Sequence, residues 1–230
     1  MIEATYIDHM GSDLSVVNAA RVSFGKRSEA HSWKWADEGA NSLKGKPMMP
    51  VLSDKDTKLI RYLATHNHIS PFGHCFASFH IKAPMFVARQ LVKHKFLRWN
   101  EISRRYVDDD PEFYAPSEWR GKSEDKKQGS DGTVEVRGSV PVGRAMYACR
   151  DAYEGLLKVG VCPEQARMVL PQSMMTEWYW SGSLDAFADM CRLRCAPDTQ
   201  AETRMVANEI SELMGELYPS SWDALLTPPN

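Results

Sequence analysis

Between Cys75 and Val92 the apolar pattern changes period at a single proline, and this change restricts the fold more than any other stretch. Cys75 to Ile81 alternates Cys, Ala and Phe with His and Ser, the repeat of two expected of a strand. Pro84 can open a helix as its first-turn residue. Met85, Phe86, Ala88, Leu91 and Val92 follow at helical intervals and end near Lys93-His94-Lys95. A strand thus delivers the chain directly to a helix.

Helical and strand-like segments succeed each other along the rest of the chain. Glu3 to Asp8 suits a short edge strand, and Asp13 can cap a helix reaching about Val22. Asp54 can cap a helix with Leu59, Ile60, Leu63 and Ala64 on one face. Ala145, Cys149, Ala152, Tyr153, Leu156 and Leu157 predict a helix closed by Gly160, and Pro163 opens a shorter one that carries Arg167. Met174 to Trp180 is strand-compatible, and Ser183 caps a helix with Leu184, Phe187, Met190 and Cys191 on one face. A last amphipathic helix is predicted from about Thr199 to Leu217, with Met205, Ile210, Leu213 and Met214 inward.

A chain of 230 residues, 43% of them hydrophobic and 25% charged, can bury one sizeable core without needing a second domain. Residues 25–50 turn to Lys, Ser, Gly and Pro and read as an inserted loop or short helix, with Trp33 and Trp35 anchoring it to the body. Residues 121–138 are polar and glycine-rich, the composition of a mobile surface loop without chemistry. Apolar runs stay below membrane-spanning length and Met1-Ile2-Glu3-Ala4 begins no signal-peptide pattern, so a soluble, cytoplasmic protein is expected. Five cysteines, Cys75, Cys149, Cys162, Cys191 and Cys195, read as reduced thiols. Cys191 and Cys195 lie one helical turn apart and His66, His68, His74 and His80 cluster, but buried thiols and ligand-side imidazoles suit them better than zinc; no metal is expected.

The chemistry concentrates between Ala88 and Tyr106. Arg89, Lys93, Lys95, Arg98, Arg104 and Arg105 stand there against a single carboxylate, Glu101, in a protein of formal charge -2. A local cationic patch of this kind suits anionic ligands, and Asn100, Ser103 and the Arg104-Arg105 pair add directional donors for a phosphate.

Lys93-His94-Lys95, then Ser103 after seven residues, then Arg105-Tyr106, resembles the signature of the flavin-dependent thymidylate synthases, Arg-His-Arg followed at the same distance by Ser. The likeness extends through Gly11 to Ser15, Ala19 to Phe24, His66 to His74, Phe79 to Pro84, Ala166 to Pro171, Leu193-Arg194, Gln200 and Glu202. It implies a single catalytic α+β domain, residues 1–230, with a central antiparallel or mixed sheet flanked by helices. It also implies methylation of dUMP to dTMP with methylenetetrahydrofolate as carbon donor, FAD as cofactor and NADPH as the hydride source, in a homotetramer with shared active sites. By the same carry-over, Arg194 is the catalytic residue; Gln90, Lys93, Ser103, Arg104, Arg105 and Arg167 contact dUMP. His68, Ser70, Lys93, His94, Lys95, Glu101, Ser183 and Asp189 contact the flavin or folate.

This chain departs from the family at several positions. Lys93 and Lys95 replace planar guanidinium forks by point charges, Arg104 stands where glycine is common, and Asp189 and Asp198 stand where Asn and His are usual. Asp189 leaves open dCMP as substrate or a hydroxymethyl product. A protein that grips single-stranded nucleic acid through this basic stretch, stacking bases on Phe96, Trp99 and Tyr106, is the alternative of another class, and the net negative charge counts against it.

Overall fold

The computed structural model describes residues 1–35, 48–124, 129–136 and 140–227. In chain order its first elements are β1 (Glu3–Met10), α1 (Asp13–Arg21), β2 (Ser32–Trp35), β3 (Met48–Val51), α2 (Asp54–Thr65), β4 (Phe76–Pro84), α3 (Met85–Leu91) and β5 (Leu97–Glu101). There follow β6 (Trp119–Lys122), β7 (Ser130–Val134), α4 (Val142–Lys158), α5 (Pro163–Ala166), β8 (Met175–Ser183), α6 (Leu184–Arg194), α7 (Ala201–Leu217) and α8 (Pro219–Leu226). The central sheet is antiparallel throughout, in spatial order β1-β4-β8-β5, with β1 at an edge as its pattern predicts.

Alternation along the strands decides which face the helices cover. Ala77, Phe79, Ile81 and Ala83 of β4 and Trp178 and Trp180 of β8 are buried on one face. There Phe187 of α6 meets Phe79 and Trp180 edge-on, at 5.2 and 5.6 Å between ring centroids, and α7 adds Val206, Ile210, Leu213 and Met214. Fully burying a large apolar side chain contributes about 1.5–3 kcal/mol, so these aromatics dominate the sheet-helix interface. The opposite face is polar: Ser78 bonds Ser181 at 2.8 Å, His80 approaches Glu177 at 3.1 Å, and Lys82 pairs with Glu112 at 2.6 Å. β5 lies close to β8 because Gly182 stands opposite Leu97; a side chain there would meet Leu97 and come within 3.2 Å of the Phe96 carbonyl oxygen.

Several local expectations change once the chain is folded. Ser12, not Asp13, is the N-cap of α1; Asp13 is 2% exposed and accepts from the Ser220 and Ser221 N–H groups at 2.8 and 2.9 Å, capping α8 instead. That last helix was not foreseen. Likewise Ser53 takes the cap of α2, accepting from the Asp56 N–H at 3.2 Å, and Asp54 is the first helical residue. Ser183 is the N-cap residue of α6 without a hydroxyl cap bond. Met205 is 44% exposed, because the inward phase of α7 is set by Val206, Ile210, Leu213 and Met214.

The two segments expected to be loops also differ from expectation. Within 25–50, β2 and β3 pair as an antiparallel hairpin, while 36–47 lie outside the described residues. Trp33 and Trp35 do not anchor it: they are 56% and 62% exposed, and Met49 of β3 is the buried contact. Within 121–138, β7 pairs with β6, and 125–128 and 137–139 lie outside the described residues. The composition hid this hairpin because its anchor is remote, Arg120 on Glu202. Among the described residues no helix is long and apolar enough to cross a membrane.

Candidate active site

Pro84 ends β4 and is the N-cap of α3, so the strand feeds the helix without a loop. Lys93-His94-Lys95 form the turn beyond α3, and Phe96, with φ 64°, takes the left-handed conformation that sends the chain back as β5. The cationic stretch is therefore a helix, a tight turn and a strand. Arg89 and Gln90 are consecutive on α3 and project about 100° apart. They line different clefts.

The first cleft, of about 630 Å³, gathers Arg89, Glu101, Ser103, Arg104 and Arg167. Glu101 is held rigidly there: its carboxylate accepts from the Trp99 indole N–H at 3.1 Å and from the Thr176 hydroxyl at 2.6 Å. Trp99 is itself stacked on Trp178, 4.3 Å between centroids. Arg104 is fastened to Asp109 at 2.8 Å. Arg105 turns to Glu164, a wall residue of the cleft, at 3.1 Å.

The second cleft, of about 730 Å³, contains Gln90, Lys93, Arg120, Arg192, Arg194 and Gln200. Arg120 is paired with Glu202 and Arg192 with Asp189, which leaves Lys93 and Arg194 beside the one lining carboxylate, Asp198, as the charges suited to an anion. The Gln90 amide is fixed from α7: its oxygen accepts from the buried Thr203 hydroxyl at 3.1 Å, and its nitrogen donates to Gln200. One amide N–H remains for a ligand acceptor. Arg194, the last residue of α6, donates from Nε to His94 Nε2 at 2.9 Å. Burial pushes the His94 imidazole below its ordinary range, the Arg194 charge lowers it further, and Asp189 partly opposes them.

Arg120 is the wall residue that sequence reasoning missed. Its Nη2 donates to both oxygens of Glu202, at 2.8 and 2.7 Å, and its Nε to the Ser130 hydroxyl at 3.0 Å. Burial pushes the Glu202 carboxyl up, but the Arg120 guanidinium, together with a backbone N–H and Gln200, more than offsets this and leaves it below the usual range. The β6–β7 hairpin is thereby fastened to α7, and Gly129 and Ser130 join Arg120 in the cleft lining. A glutamate in the first turn of α7 was the available signal, but the sequence did not name its partner.

His68, Ser70, Lys95, Ser183 and Asp189 line neither cleft. His68 is exposed beyond α2, edge-on to Tyr62 at 5.9 Å, and Asp189 is exposed and paired with Arg192. The five cysteines are free thiols; Cys75 and Cys191 are buried, and Cys75 is pushed up to about 12 by burial and by Asp13. The exposed cations of the Lys93–Lys95 turn suit the pyrophosphate of a dinucleotide cofactor.

A family described as thymidylate synthase complementing protein matches residues 5–220. A flavin-dependent thymidylate synthase of Thermus thermophilus is 37% identical over 219 residues, 95% of this chain and 73% of the relative. One of Kosmotoga olearia is 34% identical over 224 residues, 96% of this chain and 88% of the relative. The crystal structure of a UMP/dUMP methylase, PolB from Streptomyces cacaoi bound with 5-Br dUMP, superposes with a TM-score of 0.80 at 30% identity, over 97% of this chain and 94% of that one.

Proposed function

The chain belongs to the flavin-dependent thymidylate synthase family, and on that premise we propose that it methylates dUMP to dTMP. Methylenetetrahydrofolate is the carbon donor, and NADPH supplies hydride through bound FAD. The observation that carries this reading is the cationic cleft in which Arg194, bonded to His94, stands with Gln90 and Lys93. A preorganised guanidinium is the group needed where negative charge develops on a pyrimidine as C5 becomes nucleophilic. The FAD, when bound, supplies the hydride chemistry.

Each residue then has a task. Arg194 meets the pyrimidine edge. The free Gln90 N–H and Lys93 donate to nucleotide oxygens, while Ser103, Arg104, Arg105 and Arg167 hold the phosphate. His68, Ser70, Lys93, His94, Lys95, Glu101, Ser183 and Asp189 hold the flavin and the folate beside it. The nucleotide set is divided between two clefts of one chain, which supports a homotetramer in which one subunit's Ser103–Arg167 cleft meets a neighbour's Gln90–Arg194 cleft. All of this belongs to a single catalytic domain to which residues 25–50 and 121–138 are additions.

The test is product analysis. The purified protein is incubated with FAD, NADPH and methylenetetrahydrofolate, with dUMP, dCMP or UMP offered separately, and the nucleotide is weighed by mass spectrometry. Formation of dTMP from dUMP is expected. No product from dUMP, a hydroxymethyl product, or turnover of dCMP alone overturns the reading.

A further inference from the structure

We propose that His94 is the positioning residue for Arg194: its neutral imidazole accepts the Arg194 Nε–H and holds the guanidinium toward the nucleotide cleft, and protonation of the ring releases it. The proposal deepens the reading above and rests on it for the identity of the nucleotide. The contact between the two side chains stands independently of that identity.

The chemistry of the pair fixes who donates. A guanidinium has five N–H donors, no acceptor, and does not lose its proton in proteins. At 2.9 Å from Arg194 Nε, His94 Nε2 must therefore present its lone pair, and the ring must be neutral with its proton on Nδ1. A proton added at Nε2 removes the acceptor and sets two cations against each other. The charged groups acting on the ring are Arg194 and, more weakly, Asp189 from α6, while Lys93 and Lys95 flank it on its own turn. Burial and Arg194 both favour the neutral form.

The choice of Nε also matters. Arg194 is the last residue of α6, followed by the cap residue Cys195, and its long side chain leaves a helix end. Anchoring it at Nε restrains the stem and leaves the two terminal NH₂ groups, with their parallel donors, free for a planar ligand edge. A bond to a terminal nitrogen would have used up that fork. Glutamine at position 94 retains an acceptor oxygen without a titrating proton, whereas leucine removes the acceptor.

Two measurements decide the matter. The first follows the His94 ring resonances by NMR against pH in the flavin-loaded protein and in Arg194→Met, without substrates. The His94 midpoint should shift upward when Arg194 is removed, and an unchanged midpoint overturns the pairing. The second follows kcat at saturating dUMP, normalised to bound flavin, across the acid range. Wild type should lose turnover as His94 protonates, and whatever turnover His94→Gln keeps, its pH profile should lack that acid limb. His94→Leu should lose on the order of 10- to 100-fold in kcat with the KM for dUMP far less changed. An acid limb unchanged in His94→Gln, or near-native kcat in His94→Leu, refutes the positioning role. If wild type makes no dTMP, the functional reading fails while the NMR titration still decides the His94–Arg194 pair.

Discussion

Replacing Arg120 by methionine leaves an apolar stem of similar reach and strips Glu202 of its partner. Glu202 is 4% exposed, and Arg120 donates to both of its oxygens. Removing one member of a fully buried pair costs about 3–5 kcal/mol. Here the Arg120 side chain is 34% exposed, so water already shares its charge, and Tyr114 remains 3.5 Å from the carboxylate. A cost of about 2 kcal/mol at neutral pH is therefore expected, which for a chain of this size lowers Tm by roughly 4–8 °C. The sign of the pH dependence follows from the lowered Glu202 carboxyl. A depressed carboxyl contributes stability above the unfolded glutamate value and loses it as pH falls through the folded one. Wild type thus weakens on acidification, while the variant's Glu202, buried without a guanidinium, takes up a proton and is relieved. The gap between them should narrow as pH falls. Far-ultraviolet circular dichroism at one fixed protein concentration measures both effects. A Tm within about 1 °C of wild type at neutral pH, or a gap that widens in acid, refutes the reasoning.

Arg194→Ala should lower kcat on the order of 100- to 1,000-fold at saturating nucleotide, with flavin reduction by NADPH retained, whereas Arg105→Ala should chiefly raise KM; near-native turnover of Arg194→Ala contradicts the catalytic role. Asp13→Ala removes the acceptor of two α8 amides and should cost about 1–3 kcal/mol in urea unfolding, an unchanged midpoint being the contrary result. Iodoacetamide should label the exposed Cys162 first and spare the buried, pushed-up Cys75 and Cys191 in the native protein, as peptide mass mapping will show; early labelling of Cys75 contradicts its burial. The double variant Lys93→Arg, Lys95→Arg should bind FAD more tightly, since guanidinium forks match phosphate geometry, and a flavin titration with equal or weaker binding rejects that account of the lysines.

The legible parts of this protein were those carried by short-range pattern. The repeat of two from Cys75 to Ile81, broken at Pro84, placed β4 and α3, and the spacing of Leu184, Phe187, Met190 and Cys191 placed the buried face of α6. The cationic run with its Ser103 and Arg105 was legible because the residues are close in the chain, and it carried the family. Phase errors arose where two registers were both apolar, as with Met205 against Val206 in α7. A cap was misassigned where adjacent residues could each serve, as with Ser12 and Asp13.

The sequence by itself determined the segments of β1, α1, α2, β4, α3, α4, α5, β8, α6 and α7, the family, and which side chains carry charge, because each of these is written within a few residues of itself; β5, the two hairpins and α8 were not legible there. Only the tertiary structure decided what those charges face. It put Arg89 and Gln90 in different clefts, joined Arg194 to His94, set Asp13 under α8, and closed the Arg120 hairpin on Glu202. Each of these contacts closes a long loop of chain, so its partner is chosen by how sheet and helices pack around Trp178, Trp180 and Phe187; local propensity contains no information about that choice.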